Sequence, residues 1–548
     1  MTISRNKITV NASALREFDY CERKFYLNST YLANVKLVPQ EVIEEVDRAK
    51  KHLLETRPEL TISEKEFIGS SELGIETALE IIVDTLQQRS GPLHIRLTKA
   101  KETDDGLRKG DRMQAAADWE ILTAQGVQID AIYFYFFDRD ELLEYKPSLA
   151  TIQEMLEELE GMRSVLETNA IPNPTDETIR CVNCEIVSLC LPDEMKMLKH
   201  GSVEVPIRKI APDDPRRPFA VVEPGSYLRK QNGRVIVERK GEELDSIRML
   251  EISSVSIYGS TSISTPTINS FLENEIPIAF FSFGGWFNGL ATAFPNGNIE
   301  LRRRQFARYD TEEALDFSRQ LIRSKIRNSR TILKRNADDL SKVPLQLMKD
   351  LSKDALEAHS FESLLGIEGA AAKVYFENFS KMIRRDEENQ QLTFDFTLRS
   401  RRPPADPVNA MLSYLYSVLI KDLAVISFTV GLEPNLGMFH RTRYNRPALA
   451  LDMAEEFRSI IVDSLVISLI NRHEIKQEHF TNTAIGTALS KEVKKILLNG
   501  YERRKDVEIE HPYFGYKITY RRLMEVQMRL FAAWLMGEIE TYKPFEVR

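Results

Sequence analysis

Late in the chain, one histidine and several acids are grouped in a pattern that suits a divalent cation. His440 follows the turn-forming segment Gly431-Leu-Glu-Pro434-Asn-Leu-Gly437 and precedes a basic stretch, Arg441-Thr-Arg443-Tyr-Asn-Arg446. A helical pattern carrying Asp452, Glu455 and Glu456 comes next. Positions three or four apart on a helix share a face, so Asp452 with Glu455 or Glu456 puts two acids on one side. Oxygen ligands plus one imidazole suit magnesium or manganese. Glu368 stands earlier, in Leu364-Leu-Gly366-Ile-Glu368-Gly369-Ala-Ala-Ala372. A carboxylate in so apolar a pattern is costly unless it is paired, hydrogen-bonded or bound to metal, and the small residues around it let a backbone or ligand come close. Taken singly, each piece has a plainer reading: a carboxylate bridging two helices, a structural histidine, acids favoured in a first helical turn.

The four cysteines form a second candidate. Cys181, Cys184 and Cys190 make a Cys-x2-Cys-x5-Cys run, and Cys21 lies far upstream. So few cysteines, so clustered, point to a metal site rather than to disulfides. Four thiolates fit either a [4Fe–4S] cluster or tetrahedral zinc.

Residues 301–335 hold the third feature, a local excess of positive charge that includes Arg302, Arg303, Arg304, Arg323 and Arg327. Arg441 and Arg443 add to it beside His440. Such residues bind phosphates without choosing sequence. The whole chain has a net charge of -8, so any nucleic-acid surface is local. The alternative is an ordinary solvated helix.

The elements that must position these groups divide the 548 residues into at least two domains. With 43% hydrophobic and 28% charged residues, the composition is that of a globular chain. The proline-rich stretch 209–219 reads as a seam, giving a domain at 1–208, a linker at 209–218, a small β domain at 219–300 and a larger all-α domain at 301–548. The first domain has an α/β pattern: helices over 41–56, 108–125 and 150–169, and strands over 77–84, 92–98 and 131–137. In the β domain, Asn232-Gly233 signals a hairpin between strand-like runs. Helical patterns then cover 301–336, 342–359, 361–385, 407–429, 450–471 and 520–539. No charged-then-apolar leader is seen, and the most apolar stretches are broken by Pro277, Gly284, Gly285 and Gly289 or by Lys421 and Asp422. A cytoplasmic protein is expected.

Four motifs in order resemble the CRISPR-associated integrases, also called the CRISPR-associated endonucleases of spacer acquisition. They are Gly366-Ile-Glu368-Gly369, Arg402-Pro-Pro-Ala-Asp406-Pro-Val-Asn409, Gly431-Leu-Glu-Pro434 through His440, and Asp452-Met-Ala-Glu455-Glu456-Phe457-Arg458. The resemblance implies a manganese or magnesium ion on Glu368, His440 and Glu455, with Asp452 as an accessory acid. It implies strand transfer in which the 3′-hydroxyl of a captured fragment (a prespacer, double-stranded DNA with single-stranded 3′ ends) attacks a phosphodiester of the CRISPR leader-repeat DNA. It also implies a homodimer working with a small dimeric adaptation partner.

The cysteine spacing before the seam resembles the iron–sulfur nucleases of CRISPR adaptation, a branch of the RecB-like nucleases. This implies a [4Fe–4S] cluster on Cys21, Cys181, Cys184 and Cys190, with zinc as the alternative, and a domain that selects the adjacent motif and trims ends. That family's nuclease motif is a histidine, an aspartate after a strand, an acid-x-Lys strand and Gln-x3-Tyr on a helix. The matching positions are His52, Asp84, Lys99 and Gln114, but Lys99 has Leu97 two places before it and Asp118 stands where tyrosine is usual. A reduced or inactive nuclease, kept for binding DNA ends, is therefore expected. The competing reading of the whole chain is a non-catalytic DNA-binding scaffold, which suits the first half better than the second. An unrelated structural metalloprotein leaves the basic stretch and the ordered motifs unexplained.

Overall fold

The computed structural model describes residues 8–30, 40–62, 67–70, 75–97, 106–168, 170–182, 184–200, 216–274, 276–283, 287–293, 299–384, 394–400, 403–444, 446–483 and 486–547. Two compact units are found, Met1–Pro192 and Asp193–Arg548. The boundary falls before the proline-rich seam. Of the linker expected at 209–218, residues 209–215 lie outside the described residues, and Arg217 and Pro218 already belong to the strand Arg217–Val221.

The first unit is α/β. Its sheet runs in the order Val10–Asn11, Ile75–Asp84, Arg89–Arg96, Ile132–Phe136, Glu141–Tyr145, with two short strands, Leu60–Ile62 and Phe67–Ser70, also paired to Ile75–Asp84. Arg89–Arg96 and Ile132–Phe136 are parallel, and every residue of Ile132–Phe136 is buried, as expected of a strand covered on both faces. The helices Lys109–Ala124 and Leu149–Thr168 pack with Ala14–Tyr20 over a core that includes Leu15, Met113, Ile121, Met155 and Met162.

The second unit opens with two four-stranded sheets, ordered Glu242–Arg248, Arg234–Arg239, Tyr227–Gln231, Ser262–Ile263 and Phe287–Ala291, Ile278–Phe281, Ile252–Tyr258, Arg217–Val221. Asn232 and Gly233 turn the hairpin with φ of 50° and 73°, the left-handed pair that a two-residue hairpin needs. The sheets share one core of Val235, Val237, Ile252, Val255, Phe271 and Ile278.

The rest of the unit is mainly helical. The pattern over 301–336 is two helices, Ile299–Arg308 and Glu312–Asn336, because Asp310 takes a φ of 60° and Thr311 caps the second by accepting from the Ala314 amide. Lys342–Asp354, Phe361–Glu377, Pro407–Val430 and Tyr520–Met536 follow the periodicity. The segment 450–471 is Ala448–Phe457, one wide π-helical turn at Arg458–Asp463, then Ser464–Asn471.

The all-α expectation is corrected. Two antiparallel hairpins, Phe480–Thr483 with Gly486–Leu489 and Glu508–Glu510 with Lys517–Thr519, flank a helix, Lys491–Lys505, that the periodicity did not single out. Strands of three or four residues leave little alternation to read. The first hairpin is settled by tertiary contact: the Thr487 amide donates to the Pro404 carbonyl at 3.0 Å, and a Cβ on Gly486 would meet that oxygen at 2.7 Å.

One described helix, Pro407–Val430, is long and apolar enough to cross a membrane by length and composition. It packs against the helices Ala448–Phe457 and Tyr520–Met536, and Lys421 at its middle is ion-paired to Asp422 at 2.6 Å.

Candidate functional site

The helix Ala448–Phe457 supplies the acids, and its burial decides what each can do. Asp452, Glu455 and Glu456 are all 2% exposed or less. Asp452 turns toward the loop that carries His440. Its carboxylate accepts from the backbone amides of Met438, Phe439 and His440 at 2.6, 3.0 and 2.8 Å, and lies 2.7 Å from His440 Nδ1. An ionised carboxylate only accepts, so Nδ1 carries the proton and Nε2 presents its lone pair. The loop comes this close because Gly437 has no side chain: a Cβ there would sit 2.6 Å from Asp452 Oδ2 and 2.7 Å from the Ala448 carbonyl. Asp452 thus acts as the brace behind the histidine, the arrangement that orients metal-binding imidazoles.

Glu455 faces the reactive side. Its Oε1 is 3.8 Å from His440 Nε2 and 3.2 Å from Arg458 Nη2, and its Oε2 is 2.7 Å from Lys325 Nζ. Lys325, on the helix Glu312–Asn336, also contacts Glu368 on the helix Phe361–Glu377. Burial opposes ionisation of Glu455, but the Arg458 and Lys325 charges outweigh it and hold the carboxyl below its ordinary range. Burial likewise opposes the Lys325 charge, and Glu455 and Glu368 overcome it. Glu368 and Glu455 therefore share one buried ammonium, and His440 approaches Glu455 through its other oxygen.

Among the described residues no three His, Cys, Asp or Glu side chains form a ready metal cage. The reason is local, since Lys325 stands between the two carboxylates. The donor chemistry still fits a hard divalent ion, with two carboxylates and one braced imidazole. Glu455 Oε2 is also buried without a well-aligned hydrogen bond, despite the nearby ammonium.

Glu456, on the far side of the same helix, has a different role. Tyr542, Gln527 and the Phe545 amide all donate to it. Burial pushes its carboxyl up to about 7. It ties the C-terminal segment to the helix.

Four residues that the sequence reading did not assign complete the site. A small cavity of about 40 Å³ beside the acids is lined by Lys325, Arg399, Tyr416 and Arg458, along with Glu368 and Glu455. The Arg399 and Arg458 guanidiniums lie 5.5 and 5.1 Å from the centre of the Tyr416 ring. Asn409 explains why the Pro-Pro-x-Asp-Pro-x-Asn motif matters here. Its side chain accepts from Arg399 at 2.7 Å and donates to the Leu398 carbonyl at 2.9 Å, while Asp406 caps the helix through the Asn409 amide at 2.8 Å. Arg402 of that motif lies outside the described residues. The π turn puts Asp463 below Tyr416 and Tyr375, which donate to it at 2.6 and 2.9 Å, and burial raises its carboxyl to about 6. Asn409 and Arg458 stood within quoted motifs. Lys325 was one lysine among many cations, with nothing in its spacing to mark it.

Several cations of the expected phosphate-binding row have partners within the unit. Arg302 and Arg304 donate to the carbonyls of Gly431 at 3.2 Å and Met536 at 2.6 Å, and Arg323 and Arg327 pair with Glu546 at 3.4 and 2.6 Å. Arg302 and Arg304 thus tie the helix Ile299–Arg308 to its neighbours, whereas Arg327 stays exposed. Arg303 is exposed, with Glu300 3.5 Å away. Arg441 and Arg443 are exposed beside His440, Arg441 pairing with the equally exposed Glu362 at 2.6 Å.

In the first unit, Cys21, Cys181, Cys184 and Cys190 line one small cavity of about 20 Å³ and form no disulfide. Burial pushes the Cys190 thiol up to about 11, against the pull of Arg23, whose Nε lies 3.1 Å from its sulfur.

The proposed nuclease remnants are not assembled. His52 is 3.8 Å from Asp140, and Asp84 accepts from the amides of Leu86 and Gln87, both at 2.9 Å, closing its own turn. Gln114 is buried in the helix Lys109–Ala124. No hydrogen bond or ion pair joins these three, and Lys99 lies outside the described residues. The last i, i+2 pair of the strand Arg89–Arg96 is His94 and Arg96. His94 Nε2 is 3.0 Å from Asp118, which also accepts from Thr77 at 2.6 Å, and Arg96 pairs with Asp111 at 2.8 Å. Strand alternation could have picked out this pair.

Residues 219–503 match the family model described as CRISPR associated protein Cas1. The fold agrees. A Cas1 protein from Thermotoga maritima superposes with a TM-score of 0.50 at 22% identity, covering 58% of this chain and 97% of that one. A casposase bound to integration product gives 0.51 at 21%, covering 61% and 94%. Over the longer span, a CRISPR-associated exonuclease Cas4/endonuclease Cas1 fusion of Geobacter sulfurreducens is 37% identical over 489 residues, 88% of this chain and 87% of that protein. A fusion so described from Rhodospirillum rubrum is 34% identical over 87% of this chain and 82% of its own length. The chain belongs to this family of Cas4/Cas1 fusions.

Proposed function

We propose that the second unit integrates DNA fragments into a CRISPR array by metal-dependent strand transfer. The observation that carries the reading is that Glu368 and Glu455 share one buried cation while the Asp452-braced His440 approaches Glu455, inside the region matching Cas1. Glu368, Glu455 and His440 Nε2 are the groups to hold a manganese or magnesium ion. Such an ion, when bound, polarises the scissile phosphate and stabilises the leaving oxygen. Asp452 keeps Nε2 free of its proton. Arg399, Arg458 and Lys325 give the cavity the positive charge that a phosphodiester needs, and Arg441 and Arg443 extend it to the surface. The 3′-oxygen of the incoming fragment forms one P–O bond as another breaks, and the departing 3′-oxygen takes up a proton, so no external energy source is required.

The substrate is a prespacer with single-stranded 3′ ends, and the target is leader-repeat DNA. The chain acts as a homodimer with a small dimeric partner, in the cytoplasm. The Cas1–Cas2 composition named for one structural relative, a Cas6-RT-Cas1–Cas2 complex with a TM-score of 0.52, supports such a partner. The direct test is strand transfer of a short duplex into a repeat-bearing target with manganese and the partner. Transfer that survives Glu368→Ala overturns the assignment.

For the first unit we propose a module that captures DNA ends and selects the adjacent motif, with a [4Fe–4S] cluster on the four cysteines and little or no trimming. The His94–Asp118 and Arg96–Asp111 pairs favour this non-catalytic reading, because Asp111 already has a guanidinium partner and Asp118 an imidazole beside it. Protein purified without oxygen should contain iron and sulfide and lose both in Cys181→Ser. Zinc without iron overturns the cluster, and manganese-dependent trimming by Glu368→Ala protein overturns the inactive nuclease.

A further inference from the structure

The cavity of about 40 Å³ beside Glu368 and Glu455 is also lined by Tyr375, Arg399, Tyr416, Arg458 and Asp463. A cavity needs roughly 10–15 Å³ to hold one water, so this one takes a group with a few oxygens, such as one phosphate, and is too small for a base. Its two guanidiniums are held unequally. Arg399 donates to Asn409 Oδ1 at 2.7 Å and to Ser413 Oγ at 3.0 Å. Arg458 has its ion pair with Glu455, Nη2 to Oε1 at 3.2 Å, and its Nε is buried with no hydrogen bond among the described residues.

A buried donor without a partner is rare and calls for a reason. A phosphate oxygen is the acceptor that a guanidinium N–H suits best. Arg458 must then be held by something other than Glu455, whose charge is shared with any metal it binds. The Tyr416 ring does this, its centre 5.1 Å from the guanidinium carbon, a distance at which the ring face attracts a cation. The ring has its own anchor. Tyr416 donates to Asp463 Oδ1 at 2.6 Å, and Tyr375 donates to Oδ2 at 2.9 Å. Arg458 and Asp463 are the first and last residues of the π-helical turn. Five places apart on an α-helix, they would stand about 140° apart around the axis. The wider i→i+5 turn swings them toward one side, and both line the cavity.

We propose that Tyr416 and Asp463 are positioning residues, which aim Arg458 Nε at a non-bridging oxygen of the scissile phosphate. This role rests on the strand-transfer reading. Charge on the phosphate oxygens is redistributed as the reaction proceeds, and a donor fixed in advance acts on that charge without reorganising. Its effect therefore falls on kcat rather than on KM. The π turn is then the device that puts Glu455, Arg458 and Asp463 on one cavity from a single stretch of helix.

The test measures strand transfer by the full-length protein with manganese, the small partner, a short duplex and a titrated repeat-bearing target. Rates are taken per folded molecule, for wild type, Tyr416→Phe, Arg458→Lys and the double variant. Tyr416→Phe keeps the ring and loses its tie to Asp463. Arg458→Lys keeps a cation beside Glu455 and loses the planar fork. Tyr416→Phe should lower kcat about tenfold with KM for the target unchanged, since a hydrogen bond to a charged group is worth roughly that factor. Arg458→Lys should lower kcat about a hundredfold, as losing one oxyanion donor does. The double variant should be no slower than Arg458→Lys, because residues that act as a unit are not additive. Manganese affinity, read from the paramagnetic resonance of the free ion, should be the same in Tyr416→Phe as in wild type. The positioning role is overturned by a wild-type kcat in Tyr416→Phe, by losses that multiply in the double variant, or by a fall in manganese affinity that matches the fall in kcat. A wild type that transfers no strand overturns the strand-transfer reading and this role together, which sets that failure apart from the other three.

Discussion

Replacing Asp452 by asparagine separates the brace from the metal ligands with a change of one atom. The carboxylate now serves four N–H groups: three amides at 2.6, 3.0 and 2.8 Å and the imidazole Nδ1 at 2.7 Å. Met438 and Phe439 share Oδ2, while His440 uses Oδ1 for both its amide and its ring. An amide has one acceptor oxygen, so either orientation turns an NH₂ group toward two donors. Each buried donor left unmatched costs about 1–3 kcal/mol, or about 2–6 kcal/mol for the pair, a large share of a typical folding free energy. The melting temperature of the second unit should fall accordingly. With Nδ1 no longer tied to an anion, the ring tautomer is released, and losing such a partner typically costs 10–100-fold in metal affinity or activity. The assay is the manganese-dependent strand-transfer rate per folded molecule, read with melting by circular dichroism. Asp452→Asn protein with wild-type melting and wild-type rate would refute the brace. An unchanged rate with lowered melting would leave a purely structural residue and refute its role in orienting the imidazole.

Two other outcomes follow from the same geometry. Lys325→Ala removes the cation that Glu368 and Glu455 share and leaves the buried Glu455 to Arg458, a loss on the order of 3–5 kcal/mol in chelator; added manganese should raise its melting temperature more than it raises the wild type's, and equal shifts would contradict a shared position. Asp463 titrates at about 6 in the folded chain against an ordinary 3.8 because it is buried. The raised value means that its stabilising contribution is full below pH about 4 and is lost as pH rises through about 6, on the order of 3 kcal/mol. The difference in stability between wild type and Asp463→Asn should change over that window and be flat above it.

Motif order and helical spacing single out Glu368, His440, Asp452 and Glu455, and the short Cys-x2-Cys run marks the cysteines, because these patterns are local in the chain. Lys325 was not legible, since its meaning arises only when the helix Glu312–Asn336 is laid against two others. The partners of the cationic row were not legible for the same reason: composition counts Arg302 and Arg304 as cations but does not show that they donate to the carbonyls of Gly431 and Met536. In the first unit, the helix and strand pattern was readable from periodicity, but the end of the strand Arg89–Arg96 was not.

The sequence by itself determined the identities that chemistry needs. It set a histidine after a glycine-rich turn, acids three apart on a helix, four cysteines at metal-like spacing, and the α/β, β and helical order of the parts, because such patterns depend on neighbours only a few residues away. Tertiary structure decided which acid braces and which one faces a cation, since Asp452 and Glu455 differ by a single helical turn but point at different partners. It also decided that Lys325 stands between Glu368 and Glu455. Residues 43 and 130 positions from that lysine meet it only through packing, and electrostatic energy depends on distance in space, not along the chain.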